Sequence, residues 1–178
     1  MMIRWNRFNT YFLVGLVAWV VCGCSSSGDK KSKKLLATLR LHAEANRDST
    51  KSTESIPVYR EKPVWVNIAK HPFLTEGMVA SASVVDVVGG FALRIQFDHQ
   101  GTTLLEETTI ANRGRKIAIF CQFGEDLRDF RWLAAPVINQ PIHDGVLIFT
   151  PDANREEAGE IAVGLNNVAK KVHTWIDR

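Results

Sequence analysis

The sequence predicts an α+β fold: a ferredoxin-like antiparallel sheet covered by two helices on one face, with extra N-terminal strands. Three observations predict it. Period-two alternation recurs in several short runs, two longer runs carry apolar residues at helical spacing, and Gly89-Gly90 separates two alternating runs as a hairpin turn does. With 178 residues, 46% of them hydrophobic, the chain has enough apolar surface for one domain plus tails and too little for two ordinary ones.

In chain order, Arg4 and Arg7 precede residues 11–23, YFLVGLVAWVVCG, a run of 13 without a charge. A spanning helix needs about 20 apolar residues and a signal-peptide core only about 7 to 15, so length predicts an export signal over residues 1–23. The run closes on Val21-Cys22-Gly23-Cys24, the pattern of a bacterial lipobox, which makes Cys24 the expected lipidation site. Each buried acyl methylene contributes about 0.8 kcal/mol, so a diacylated cysteine anchors stably without a spanning helix. The expectation is a membrane-anchored lipoprotein on the extracytoplasmic side. Losing residues 1–23 removes two arginines and no acid, so the net charge drops from +3 to +1, too small for nucleic acid to be a partner. Residues 24–34, rich in serine and lysine, read as a flexible tether.

Residues 35–83 read as an N-terminal β-rich extension. Alternation runs from Leu36 to Ala43, and a second β-rich segment at 56–68 carries Pro57 and Pro63, which mark an edge or interrupted strand. Residues 84–178 form the main domain. Strands at 78–88 and 91–97 make the hairpin across Gly89-Gly90. A helix at 100–113 places Leu104, Leu105, Thr108 and Ala111 on one face, with Gly114 as C-cap. Strands follow at 116–123, 135–138 and 145–149. The last helix is the clearest element, with Ala158, Ile161, Ala162, Leu165, Val168, Ala169 and Val172 in one stripe and a capping box formed by Asn154 and Glu157.

Catalytic chemistry has little to stand on. No serine follows Ser83, no G-x-S-x-G turn occurs, and the five histidines are scattered without metal-ligand spacing. Once Cys22 and Cys24 are spoken for, Cys121 is left without a disulfide partner. It falls on the apolar side of the 117–123 alternation as a small buried hydrophobe. No enzyme activity, cofactor, metal or small-molecule substrate is expected.

An ordered set of short motifs from about Val84 onward resembles a known family. It runs Ile95-Gln96-Phe97-Asp98, Gly101, Leu105, Thr108, Asn112-Arg113-Gly114-Arg115 and Ile117-Ala118-Ile119. It continues with Ala135-Pro136-Val137-Ile138, Pro141-Ile142, Gly145, Ile148 and Glu156-Glu157-Ala158. This pattern is similar to the head subdomain of the first periplasmic domain of SecD and SecDF, accessory subunits of the Sec preprotein translocase. The resemblance implies a binding module for unfolded preprotein or a Sec-type membrane complex. The family's members also carry several spanning helices and a proton-coupled membrane core. This sequence offers no run for them, so the expectation is an accessory module and not a motor. The alternative is a structural or envelope-assembly lipoprotein that keeps the fold without client binding. Where the family has a short turn after the I-A-I strand, this chain carries FGEDLRDFRWLA, read either as a binding loop whose Phe130 and Trp132 are candidate partner-binding residues or as a packed cover in which the two rings plug the core.

Replacing Cys24 by serine is expected to abolish lipid attachment, because no other cysteine occupies an acceptable lipobox position. Metabolic labelling with a fatty-acid analogue checks this; full labelling of the Cys24→Ser chain would refute the anchor assignment.

Overall fold

The computed structural model describes residues 34–46 and 52–176, with side chains of the last helix followed to residue 172; Cys24 and most of the expected tether lie outside the described residues. Nine strands and two α-helices occur among them. In order they are β1 (Leu36–Ala43), β2 (Thr53–Val58), β3 (Val64–Ala69), β4 (Leu74–Thr75), β5 (Val79–Val87), β6 (Gly90–Phe97), α1 (His99–Ala111), β7 (Ile117–Gly124), β8 (Asp129–Ala134), β9 (Val146–Phe149) and α2 (Arg155–Ile176). The strands pair antiparallel throughout, in a four-stranded sheet β4-β1-β7-β8, a hairpin β2-β3, and a three-stranded sheet β5-β6-β9. The α+β architecture read from the sequence is therefore the observed one, with its β content divided among three sheets.

Alternation decides which side chains meet. Ala37, Leu39 and Leu41 of β1 and Ile117, Ile119, Cys121 and Phe123 of β7 all point into one core, where they meet Leu93, Ile95 and Phe97 of β6, Leu105 of α1, and Ala158, Ile161 and Leu165 of α2. The opposite face of the four-stranded sheet has its own smaller core. There Ile56 and Val58 of β2 and Val66 and Ile68 of β3 pack on Ala118 and Ala135, with Trp132 against their edge. β1 lies between β4 and β7, and β5 runs through position 84, so β1, β4 and β5 contribute to the main core while β2 and β3 belong to the smaller one.

Both helices begin on side-chain caps. The Gly101 amide donates to Asp98 Oδ1 at 2.7 Å. The Glu157 amide donates to Asn154 Oδ1 at 2.8 Å while the Asn154 amide donates back to Glu157 Oε2 at 2.9 Å, the reciprocal capping box. Gly164 is the tightest point of the α2 packing: a Cβ there would lie 2.7 Å from Ala37 N and Leu36 C.

Three readings of the sequence change in detail. The buried face of α1 is Gly101, Leu105 and Thr109, one turn-step round from the expected one. Residues 135–138 make only an isolated Lys116–Val137 bridge instead of a strand, since Pro136 has no N–H to give a ladder. FGEDLRDFRWLA is a tight turn at Glu125–Leu127 followed by β8, so Phe130 and Trp132 lie on a strand and not in a loop.

Leu165→Ala should destabilise the fold by about 2 to 5 kcal/mol through the cavity it leaves, against under about 0.5 kcal/mol for exposed Lys171→Ala. Gly164→Ala is the sharper test. Alanine gains about 1 kcal/mol in helix propensity, but forcing a methyl onto the β1 backbone costs about 1 to 3 kcal/mol, so the net is a loss. A raised denaturation midpoint for Gly164→Ala would refute the close approach of α2 to β1.

Candidate functional site

The hairpin β2-β3 covers only part of the outer face of the four-stranded sheet. Small side chains, Ala118 and Ala135, lie beneath it, and large ones begin where it stops. Phe120 of β7 faces Trp132 and Phe130 of β8, with ring centroids 5.1 and 6.5 Å apart, and His42 meets Trp132 edge-on at 5.3 Å. Phe130 is 68% exposed, whereas Trp132 is half-buried against the hairpin. A cleft of about 270 Å³ opens between β8 and the end of β2, lined by Pro57, Tyr59, Arg60, Phe120, Phe130, Arg131, Trp132 and Asp152.

Charged groups hold the walls of this cleft in place. The Arg60 amide donates to Asp152 Oδ2 at 2.9 Å and its guanidinium lies 3.2 Å from the same oxygen. The Asp152 amide donates to Leu133 O at 2.7 Å, which ties the segment after β9 to β8. Arg131 grips Glu157 with two bonds of 3.0 and 3.2 Å and lies 5.1 Å over the Phe123 ring. Burial pushes the Glu157 carboxyl up, but the Asn154 amide and the Arg131 guanidinium outweigh it and hold the group below its ordinary value. Tyr59, in left-handed backbone at φ 70°, brings its hydroxyl to the Ala135 amide at 3.5 Å.

The ladder of hydrogen bonds shows which way the β8 backbone faces. Glu44 N donates to Lys116 O, while Leu41 O accepts from Phe73 N and Leu39 N donates to Glu76, both on the β4 side. Even-numbered residues of β1 and β7 therefore bond each other, and odd-numbered residues of β7 bond β8, as Ile117 N to Pro136 O shows further along. Cys121 pairs with Arg131 and Phe123 with Asp129. The peptide N–H and C=O of Phe130, between them, point away from the sheet at its open edge.

A second open edge lies on β9. Phe97 N donates to Gly145 O, so Gly145, Leu147 and Phe149 bond β6 and Ile148 faces outward. Ile148, 52% exposed, looks across a groove of about 300 Å³ toward Val137, 47% exposed. The aromatic cleft differs from this groove in adding rings and fixed charges to its edge.

The other candidate side chains do not converge. His143 Nδ1 lies 2.6 Å from Glu106 Oε1 on the surface. Among the described residues no group of three His, Cys, Asp or Glu is placed to hold a metal. None of the helices among them is long and apolar enough to cross a membrane. Sequence reasoning missed Phe120, Tyr59, Arg60 and Asp152. A signal existed for Phe120, a large ring on the side of β7 where its neighbours are Ala118 and Gln122.

A family model described as the SecDF P1 head subdomain matches residues 53–169. The match thus includes β2 and β3, upstream of the motifs that carried the resemblance. Among solved structures, SecDF described as a membrane component that enhances protein export is 20% identical, with a TM-score of 0.53 over 94% of this chain and 71% of that one. SecDF in a super-membrane-facing form is 22% identical, with a TM-score of 0.53 over 80% of this chain and 21% of that one. The chain thus spans about a fifth of that second protein, and at these identities the likeness is one of fold. No curated protein matches.

Cys121 is fully buried and burial pushes its thiol up to about 12, so it is almost wholly unionised near neutral pH. Alkylation of the folded chain at about pH 8 should leave Cys121 unmodified by peptide mass spectrometry and modify it fully in denaturant. Rapid labelling without denaturant would contradict this packing.

Proposed function

The chain belongs to the SecDF P1 head subdomain family, and from that premise we propose that it is a non-catalytic, extracytoplasmic module of protein export that binds extended polypeptide. Lipid on Cys24 would hold it at the membrane. The observation that carries this reading is Phe130: an exposed ring on an edge strand whose own peptide group faces outward beside an aromatic cleft. Such an edge adds a peptide strand through main-chain hydrogen bonds, which every sequence offers, while the rings supply apolar contact without strict selection. Breadth of that kind suits a protein that meets many unfolded chains. The description of SecDF as enhancing protein export lends support from the relative's side. Ordering a flexible peptide costs entropy, so affinity in the micromolar range or weaker is expected.

Titration of a labelled unfolded polypeptide tests the reading. Phe130→Ala should weaken binding by about 1 to 2 kcal/mol with little change in melting, because the ring is mostly in solvent. Phe130→Pro should weaken it further by deleting the outward N–H while sparing the bonds to β7. Trp132→Ala should lower the melting temperature as well, since that ring also supports the hairpin. No binding by the wild-type chain would favour the structural lipoprotein instead.

A further inference from the structure

The hairpin β2-β3 forms one wall of the cleft, and its seat on the sheet includes an ionisable group. His42 lies on the outer face of β1 and is 7% exposed. Its Nδ1 donates to Ala69 O, at the end of β3, over 2.8 Å, and its ring meets Trp132 at 5.3 Å and 70°. One side chain thus touches the strand below, the end of the hairpin above and a ring that lines the cleft. With Nδ1 donating to Ala69 O, Nε2 is the acceptor nitrogen of the neutral ring and the place where a second proton would go.

We propose that His42 makes polypeptide binding at the Phe130–Trp132 cleft acid-sensitive, because charging its ring loosens the β2-β3 hairpin that walls the cleft. The proposal rests on the polypeptide-binding reading above. A second proton puts a full charge on a ring that is only 7% exposed, which costs free energy while the hairpin is seated. Arg40 of β1 and His71 after β3 oppose the charge and Glu54 of β2 favours it. Glu44 is engaged by Lys116, and β7 and β8 present uncharged Ala118 and Trp132 to this seat. Burial is the largest influence and holds the ring's pKa below the ordinary 6.5. The sign follows. Above about 6.5 the ring is neutral whether the hairpin is seated or lifted. As pH falls below that value, the lifted form binds the proton first and is favoured.

The test uses the full chain in detergent micelles, between about pH 8 and about pH 5.5. The probe is a labelled polypeptide that has been reduced and blocked with iodoacetamide. Wild type should lose affinity about fivefold on acidification, and protection factors of the Val66 and Ile68 amides should fall in parallel without polypeptide. His42→Asn keeps a donor near the Nδ1 position but cannot take the proton, so both quantities should stay flat. Equal pH dependence in wild type and His42→Asn, or unchanged hairpin protection, overturns the proposal alone. Absence of binding at every pH overturns the polypeptide reading and the proposal with it. If His42→Asn does not fold, the wild-type ring titration by NMR decides: a midpoint at or above 6.5 overturns the proposal.

Discussion

A four-stranded sheet has two faces to keep from water, and the helices among the described residues suffice for one. The other face falls to a two-stranded hairpin whose strands are six residues long, about 20 Å, laid over a sheet twice as many strands wide. Side-chain size follows the coverage. Alanines 118 and 135 sit where the hairpin rests, with Trp132 wedged at its edge, and Phe120 and Phe130 occupy the ground beyond it. The aromatic cleft is therefore the uncovered remainder of a face that is otherwise core.

The same region joins parts of the chain that are far apart in sequence. Asp152 holds Arg60 across 92 positions and also donates its amide to β8. Glu157 closes the α2 capping box and holds Arg131 on β8 at the same time. Arg60 is largely exposed, so its pair with Asp152 contributes under about 1 kcal/mol and matters less as a stabiliser than as fixed geometry. The start of the longest helix, the edge strand and the hairpin's end are positioned by two carboxylates. For a chain in the SecDF P1 head subdomain family, this ties the surface proposed to meet a client to the core that the two larger sheets share.

Elements defined by local pattern were readable from the residues. β1 has the bounds the alternation implied, the β5-β6 hairpin turns at Val88-Gly89, one residue before the expected Gly89-Gly90, and Asn154 and Glu157 cap α2 as their spacing indicated. β8 was hidden because Glu125, Asp126 and Arg128 gave its approach the look of a loop, although Phe130, Arg131 and Trp132 already alternate. Gly164 carried no signal at all, since a glycine in a helical stripe reads as a weak helix former until the β1 backbone is seen beside it. Nor does anything local connect Arg60 to Asp152. Of the cleft, the two rings named from sequence belong to it, and the wall that completes it comes from a hairpin about 70 residues earlier.

An open edge strand is a hazard to any protein, because free amides and carbonyls can recruit a neighbour and then another. β8 is limited in this respect. Its register slips by one residue at Leu133, where Ile119 pairs with Ala134 but Phe120 pairs with Trp132, and the Leu133 carbonyl is already taken by Asp152. Any strand that docks meets a few bonding positions and then a twist and a blocked acceptor. Growth into a longer ladder is cut off there, so the edge resists the accumulation of further strands.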